Sequence, residues 1–444
     1  MKAQDGKRRL TSLFEIRRST FDIQQRHAPS PQPFAHSPMH TTLTNAKIWD
    51  GTGQPTFAGT IVIADDRIES VLRGDDPPPT ADRTIDVAGQ TVLPGLIDCH
   101  DHQTYHNTFG PLPMQWRLPR DQQVIRSVVA ACDALRHGIT SIREMGAVGA
   151  TNLSMKHAQQ RGVIVGPRMV TCGMPLAITG GHAYEICVEV DGIDGVRAAA
   201  RQQLKDGAEF VKLMASNEQP LPRQQQQTVP QFTLDELRAA ADEAHDAGVK
   251  VCVHVCGTEA IGRCLDAGVD SIEHGIYLNR DLAQRMKEQG TFYTPTLGIY
   301  RANADPHWMR GAGKQAFCRR LVEDHRSSFV HALEVGLRWS VGTDAIVPLV
   351  DEMQFLVDEG LNREVVLTAA TRTNAELLER EHELGTLEPG KLADLIVVDG
   401  DPLQDFAALK RVSKIMQGGV IFQPESLLPM LPAAEPPAAE DNLR

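Results

Sequence analysis

The residues best suited to chemistry are histidines and aspartates within short apolar segments. The segment LPGLIDCHDH contains His100 and His102, KVCVHV contains His254, and SIEHG contains His274. A further acidic residue, Asp344, lies in RWSVGTDA. Imidazole nitrogens and carboxylate oxygens are the ligands that zinc and similar divalent metals take in catalytic sites. These residues predict a metal site, provided that the fold brings them together.

An alternation of strands and helices supplies the elements that would position these residues. Eight apolar segments separated by helical patterns are predicted to be strands, at 93–102, 139–145, 167–174, 209–215, 250–255, 271–275, 291–296 and 338–345. Eight βα units in series predict an α/β fold, the TIM (β/α)8 barrel, whose catalytic groups lie at the carboxyl ends of the strands. Alternate residues of a strand point to one side, so one metal could take both His100 and His102. His254 and His274, from neighbouring strands, could hold a second metal, with Asp344 reaching it from across the barrel.

The two flanks of the repeat predict a second, smaller domain. Residues 41–93 and 383–424 contain short apolar runs separated by Gly, Asp and Pro, which is typical of β-strands. Because the termini of a barrel can lie close together, the flanks are predicted to form one discontinuous β-sandwich beside a catalytic barrel at 94–382. Residues 1–40 are predicted to be a disordered basic extension, with Met39 as an alternative start, and 425–444 to be a loose tail.

Composition narrows the classes of function. The 444 residues include 45 Lys and Arg against 57 Asp and Glu, and the net charge of −12 disfavours a nucleic-acid partner, which clustered cations would bind. No apolar run approaches the length of a transmembrane helix, so no membrane partner is expected. The 8 Cys are scattered without a CxxC pair, which favours a reducing, cytoplasmic location. A small-molecule or short peptide-like substrate is expected.

Lys212 stands out because it lies within the apolar predicted strand FVKLM, beside the predicted metals. A buried ammonium group near two dications is unfavourable, and a neutral amine is one way to avoid it. Carboxylation of the amine by CO2 is another, and it yields an anion able to bridge two metals. The remaining alternative is an ion pair with Asp344 or Glu273 in a barrel without metals.

On these motifs the chain resembles the amidohydrolase superfamily of metal-dependent hydrolases. The resemblance covers about residues 41–424 and rests on VLPGLIDCHDH, FVKLM, CVHVCGTEAIGRCLDAGVDSIEHG, SVGTDA and ELGTLEPGKLADLIVVDGDPL. It is strongest to the imidazolonepropionase-like and prolidase-like branch, whose members hydrolyse Xaa-Pro and other C-terminal peptide bonds, N-acyl amino acids or aromatic amides. The resemblance implies an enzyme that cleaves an amide C–N bond and assembles as a homo-oligomer.

The resemblance also implies a role for each predicted ligand. Its binuclear zinc centre would be held by His100, His102 and Asp344 at a buried metal, by His254 and His274 at a more exposed metal, and by carboxylated Lys212 between them. A hydroxide between the metals would attack the scissile carbonyl. Asp344 would take the hydroxide proton and deliver it to the leaving nitrogen.

Further residues are candidates for binding the substrate. His182, in TGGHAYE, resembles a family histidine that meets the substrate carbonyl or carboxylate. Arg143 would bind an anionic substrate group or brace the first strand through Asp101. Three aromatic residues could line a pocket, although scattered aromatic residues more often pack in the core: Tyr300, Tyr105 and Trp116.

Phe232 departs from the prolidase-like pattern, in which a tyrosine near this position holds the substrate carboxylate. Phenylalanine cannot donate that hydrogen bond, so a neutral or aromatic amide becomes more plausible as substrate. A Pro- and Gln-rich segment at 216–231 is expected to be either a lid or a surface loop. The alternatives are a cyclic-amide hydrolase of the imidazolonepropionase or dihydroorotase type, and a non-catalytic scaffold, which is disfavoured because no ligand position is missing.

Overall fold

The computed structural model describes residues 38–74, 79–105, 115–217, 228–305 and 312–428. Its strands are β1 (His40–Ile48), β2 (Phe57–Ala64), β3 (Arg67–Arg73), β4 (Arg83–Asp86), β5 (Thr91–Pro94), β6 (Leu96–Asp101), β7 (Ile139–Glu144), β8 (Arg168–Thr171), β9 (Leu176–Ala177), β10 (Val188–Glu189), β11 (Phe210–Met214), β12 (Lys250–Val255), β13 (Ser271–His274), β14 (Phe292–Thr294), β15 (Leu395–Val398), β16 (Val412–Gln417) and β17 (Val420–Phe422). Its helices are α1 (Arg120–Arg136), α2 (Thr151–Gln160), α3 (Ile193–Asp206), α4 (Leu234–Asp246), α5 (Thr258–Ala267), α6 (Arg280–Gln289), α7 (Leu297–Ala304), α8 (Ala312–Val335), α9 (Leu349–Asp358), α10 (Arg363–Thr368) and α11 (Asn374–Leu377).

Strands from both flanks of the βα repeat share one sheet. The strand order is β17-β16-β15-β5-β1-β2-β3, and β4 pairs with β1. Strand β5 runs antiparallel to β15, so that Leu93 lies opposite Ile396. The predicted association of the two flanks is therefore present as backbone pairing.

The strands that carry the predicted ligands are parallel and lie in two further sheets. One has the order β6-β7-β8, and the other has the order β10-β9-β11-β12-β13-β14. The amide of Glu209, just before β11, donates to the carbonyl of Thr171 at the end of β8 over 2.8 Å. Helices cover these strands, and their small and aliphatic side chains form the largest apolar core of the described chain.

The eighth predicted strand, at 338–345, differs from the prediction. It forms only an isolated parallel bridge between Trp339 and Tyr293. Beyond that bridge the amide of Cys99 donates to the carbonyl of Val341, and the amide of Asp344 donates to the carbonyl of His100 over 2.6 Å. The φ angle of Asp344 is +56°, and a strand cannot continue through a left-handed backbone conformation.

Glycine at position 95 is required where the chain passes from the flank sheet to β6. A β-carbon there would lie 2.1 Å from Oγ1 of Thr140.

In the described residues no helix combines the length and apolar character needed to cross a bilayer. All eight cysteines are buried free thiols.

Candidate metal centre

The predicted ligands converge at the carboxyl ends of neighbouring parallel strands. His100 lies near the end of β6, Lys212 lies within β11, His254 lies near the end of β12, and His274 ends β13. Each of these four side chains belongs to a residue that is at most 4% exposed. Burial of so many polar residues at one place is unusual for a core and typical of a functional site.

Three of the ligands form a compact cluster. One carboxylate oxygen of Asp344, Oδ1, lies 3.4 Å from Nε2 of His100 and 3.3 Å from Nε2 of His102. The candidate ligand atoms of the three residues lie within 4.8 Å of one another. Two imidazole nitrogens and one carboxylate oxygen at this separation match the ligand set of catalytic zinc.

Hydrogen bonds on the far side of each imidazole ring leave Nε2 free for a metal. Nδ1 of His100 lies 2.8 Å from Oε2 of Glu273, and Nδ1 of His102 lies 2.9 Å from the carbonyl oxygen of Gly146. Both oxygens are acceptors, so Nδ1 is the donor in each of these two hydrogen bonds. Second partners of this kind fix the tautomer and ring orientation of metal-binding histidines.

His274 is held by three contacts that the sequence does not indicate. Its Nδ1 lies 2.7 Å from the hydroxyl oxygen of Thr296. Its carbonyl oxygen accepts from the hydroxyl of Tyr293 over 2.8 Å and lies 2.7 Å from Nε2 of His325. The φ angle of His274 is +67°, a conformation that persists in a non-glycine residue only when its surroundings enforce it.

Glu352 fixes the turn that presents Thr296. Its two carboxylate oxygens accept from the amides of Leu297 and Gly298, over 2.7 Å and 2.6 Å, at the start of α7. A β-carbon on Gly298 would lie 2.5 Å from one of those oxygens. The carboxylate of Glu352 therefore packs against the backbone at Gly298, where no β-carbon would fit, next to His274.

A buried ion pair between Arg143 and Glu273 lies on the Nδ1 side of His100. The guanidinium group of Arg143 donates to both carboxylate oxygens of Glu273 over 2.8 Å, and its Nε donates to the carbonyl of Cys99 over 2.6 Å. Burial opposes ionisation of Glu273, yet the charge of Arg143 and the hydrogen bond from His100 hold the pKa of this carboxyl below its usual value. Of the two predicted roles of Arg143, this geometry favours bracing the first strand, through Cys99 rather than Asp101.

The protonation states of His254, His274 and Asp344 suit metal binding. Burial lowers the pKa of His254 and of His274 well below the usual value, and nearby His182 and His100 lower them further. Burial alone would raise the pKa of Asp344, but the charge and hydrogen bond of His100 keep it well below its usual range. Neutral imidazoles and an ionised carboxylate are the forms that bind metals.

Lys212 is buried without a partner. The residue is 2% exposed, and its Nζ has no hydrogen-bond partner. No ion pair joins it to Asp344 or Glu273 in the described residues, contrary to the metal-free alternative. An isolated buried ammonium group is strongly unfavourable, so a free, charged lysine does not fit this position.

Successive contacts between histidine rings connect the cluster to His182, the candidate substrate residue. The rings of His100 and His274 lie 4.9 Å apart, and those of His274 and His254 lie 4.6 Å apart. The half-buried ring of His182 stacks on His254 at 4.0 Å with an interplanar angle of 10°. Nε2 of His254 lies 3.8 Å from Sγ of Cys256.

Aromatic side chains lie on the other side of the cluster. Tyr105 stacks on His102 at 4.4 Å, and Trp116 meets Tyr105 edge to face at 5.9 Å. Tyr300 is 1% exposed and packs against His325, so the structure places it in a core beside the site.

Most of the segment at 216–231, predicted to be a lid or a surface loop, lies outside the described residues.

Comparisons with known proteins show which proteins this chain resembles. A model of the amidohydrolase family matches residues 91–422. The chain is 27% identical over 420 residues to an ochratoxinase of Aspergillus niger, and the match covers 84% of each protein. It is 30% identical to a prolidase solved with N-methylphosphonate-L-proline, with a TM-score of 0.79 over 87% of this chain and 100% of the other. The crystal structure of the A. niger ochratoxinase is 26% identical, with a TM-score of 0.77 over 87% and 96% of the two chains.

Proposed function

This chain belongs to the amidohydrolase family, and on that basis we propose that it is a binuclear metal-dependent hydrolase that cleaves an amide C–N bond. The predicted resemblance to the prolidase-like branch is confirmed by the relatives. The observation that carries the proposal is the buried cluster of His100, His102 and Asp344 beside the unpaired Lys212.

We propose two divalent metals, most simply zinc, of which the cluster of His100, His102 and Asp344 supports the first. His100, His102 and Asp344 would hold one metal, His254 and His274 would hold the other, and Lys212 would bridge them once carboxylated. When bound, the metals would supply Lewis acidity toward a carbonyl oxygen and lower the pKa of a water molecule toward neutrality.

Asp344 is the proposed general base and acid. Its carboxylate would accept a proton from the attacking water while the water oxygen bonds to the carbonyl carbon. The C–N bond then breaks, and Asp344 passes the proton to the leaving nitrogen. The products are an amine and a carboxylic acid, which releases its proton to solvent.

His182 is the proposed substrate contact. Its amide donates to Oε1 of Gln231 over 3.0 Å, which anchors the loop, while its ring stacks on His254. A side chain in this position can donate a hydrogen bond to the carbonyl oxygen that becomes negative during attack. Arg143 is assigned a bracing role and Tyr300 a packing role.

We favour a neutral or aromatic amide as substrate. Tyr105 and Trp116 form an aromatic wall beside His102, and Nε1 of Trp116 is a buried donor without a partner. Phe232 is 1% exposed and belongs to the core, so it offers nothing to a substrate carboxylate. Stacking on such a wall would contribute binding energy for an aromatic acyl or amine group.

We also propose the architecture predicted from the sequence, a TIM barrel with a small discontinuous β-sandwich. Hydrogen bonds from residues 338–344 to β14 and β6 support closure of the strands into a barrel, and the sheet shared by both flanks supports the small sandwich. The domain bounds, the cytoplasmic location and the homo-oligomeric state stay predictions.

A hydrolysis screen tests the activity. Purified wild type and the Asp344→Asn variant would be compared on Xaa-Pro dipeptides, N-acyl amino acids, aromatic amides and lactams. We expect turnover of an acyclic amide by wild type and loss of about 10³-fold or more in the variant. Turnover of lactams alone would favour the cyclic-amide alternative, and equal rates in both proteins would remove Asp344 from the mechanism.

A further inference from the structure

We propose that His325 is a positioning residue for the more exposed metal, because it holds the main-chain carbonyl of the ligand His274. The inference rests on the proposed function, in which His254 and His274 bind that metal. His325 lies in helix α8, 51 residues further along the chain, and is 1% exposed. Its Nε2 lies 2.7 Å from the carbonyl oxygen of His274, and since a carbonyl can only accept, Nε2 is the donor.

The chain turns sharply where this carbonyl lies. His274 ends β13, and His274 and Gly275 follow each other with φ angles of +67° and +55°. Glycine adopts the left-handed region freely, whereas a histidine there is strained and needs support from its surroundings. The carbonyl oxygen of His274 accepts from two side chains, the hydroxyl of Tyr293 over 2.8 Å and Nε2 of His325. Both contacts come from other elements of the fold.

These two donors keep the side chain of His274 in its direction. Relaxing His274 out of the left-handed region would rotate the peptide groups on both sides of its α-carbon. That rotation would move the carbonyl away from its two donors and leave it buried without a partner, which is unfavourable. It would also redirect the bond from the α-carbon to the imidazole ring. The hydrogen bond from His325 therefore opposes a movement of the ring away from the metal.

Helix α8 contacts every second carbonyl of the loop that follows β13. His325, Ser328 and His331 are spaced three residues apart and so lie along one side of the helix. Oγ of Ser328 lies 2.6 Å from the carbonyl oxygen of Ile276, and Nδ1 of His331 lies 3.1 Å from that of Leu278. Of these three contacts, the one made by His325 is to a metal ligand, and the others are to apolar residues.

The ring of His325 is itself held in place. Tyr300 of helix α7 meets it edge to face at 5.3 Å, and both residues are 1% exposed. Thr296, just before the same helix, lies 2.7 Å from Nδ1 of His274. Helices α7 and α8 therefore hold both the side chain and the carbonyl of His274. A partner whose own rotamer is locked by packing is what precise placement of a ligand requires.

Release of cobalt(II) from the loaded full-length chain tests the proposal. A chelator is added in steps, and the visible absorption of the bound cobalt reports occupancy and coordination. The step that is missing from His274→Ala belongs to the more exposed metal. Absence of any such step in wild type would overturn the proposed second metal, and this inference with it.

Two variants of equal side-chain length isolate the hydrogen bond. His325→Met removes the donor, whereas His325→Gln keeps a nitrogen donor near the place of Nε2 and, like imidazole, one acceptor. We expect His325→Met to weaken cobalt binding in this step by about tenfold, as loss of partners around metal ligands typically does, and to change the absorption band. His325→Gln should recover most of the affinity.

Ser328→Ala is the matched control in the same helix. It removes the contact to the carbonyl of Ile276 and should keep the wild-type affinity and absorption band. If His325→Met does not fold, His325→Asn replaces it, because its shorter amide withdraws the donor from the carbonyl. Wild-type affinity in the folded His325 variant, or an equal loss in Ser328→Ala, would overturn the positioning role. Either result would leave the two metals and the proposed function in place.

Discussion

The hydroxyl oxygen of Thr296 lies 2.7 Å from Nδ1 of His274 and also donates to the carbonyl of Pro295 over 2.7 Å. Because the hydroxyl proton of Thr296 is donated to the carbonyl oxygen of Pro295, the hydroxyl oxygen must accept from Nδ1 of His274. The histidine is thereby held in the tautomer whose Nε2 is unprotonated and able to bind a metal.

Thr296→Val should weaken binding of the more exposed metal. Loss of a second partner of this kind typically costs 10-fold to 100-fold in metal affinity. Competition with a graded chelator, read by elemental analysis of the protein fraction, measures the affinity. Thr296→Ser keeps the hydroxyl and should retain wild-type affinity. Equal affinities in the valine and wild-type proteins would show that Thr296 has no positioning role.

Arg143→Met should destabilise the fold strongly. It leaves Glu273 buried and unpaired, and breaking a buried ion pair costs roughly 3–5 kcal/mol. The control is Arg285→Met, which removes a surface pair with Asp266 at 2.7 Å and should cost about 0–1 kcal/mol. Urea unfolding of the two variants gives the comparison, and similar midpoints would contradict the structural role assigned to Arg143.

Gly298→Ala should also destabilise the protein. The new β-carbon would lie 2.4 Å from Cγ2 of Val347, and overpacking of this kind costs about 1–3 kcal/mol. Gly262→Ala is the matched control in helix α5, because the nearest atom to its β-carbon lies 3.7 Å away. There the substitution should stabilise by roughly 0.5–1 kcal/mol. The thermal midpoints should move in opposite directions.

Glu352 should make stability depend on pH. Burial raises the pKa of this carboxyl from its ordinary value of about 4.5 to about 7. Its contribution is complete below about pH 4.5 and is lost as pH rises through about 7, by up to roughly 3 kcal/mol. Urea midpoints of metal-free protein measured across this range should fall with pH in wild type, and the slope should be smaller in Glu352→Gln. The surface variant Glu259→Gln should keep the wild-type slope, and identical slopes in all three proteins would refute this assignment.

The sequence could predict the convergence of the ligands because each lies near the end of an apolar strand, and parallel strands place their carboxyl ends at one face. The pairing of the two flanks was also predictable, since each showed the same short apolar runs. These features depend on local pattern and on chain order alone.

Other features depend on contacts between residues that are far apart in the chain. Thr296 and Glu352 act on His274 through a loop and a helix terminus, and no local pattern indicates those contacts. The strand predicted at 338–345 shrinks to a single bridge at Trp339, and the segment ends in a turn where Asp344 adopts a left-handed backbone conformation. Apolar alternation cannot reveal such a turn.

The central claim is that the buried cluster holds two metals with Lys212 between them, and the metal content of the purified chain tests it most directly. Elemental analysis after exhaustive dialysis should find about two divalent metals per chain in wild type. Asp344→Asn should keep much of the metal, whereas Lys212→Ala should retain clearly less. Metal near zero in folded wild type, or unchanged content in folded Lys212→Ala, would contradict the account.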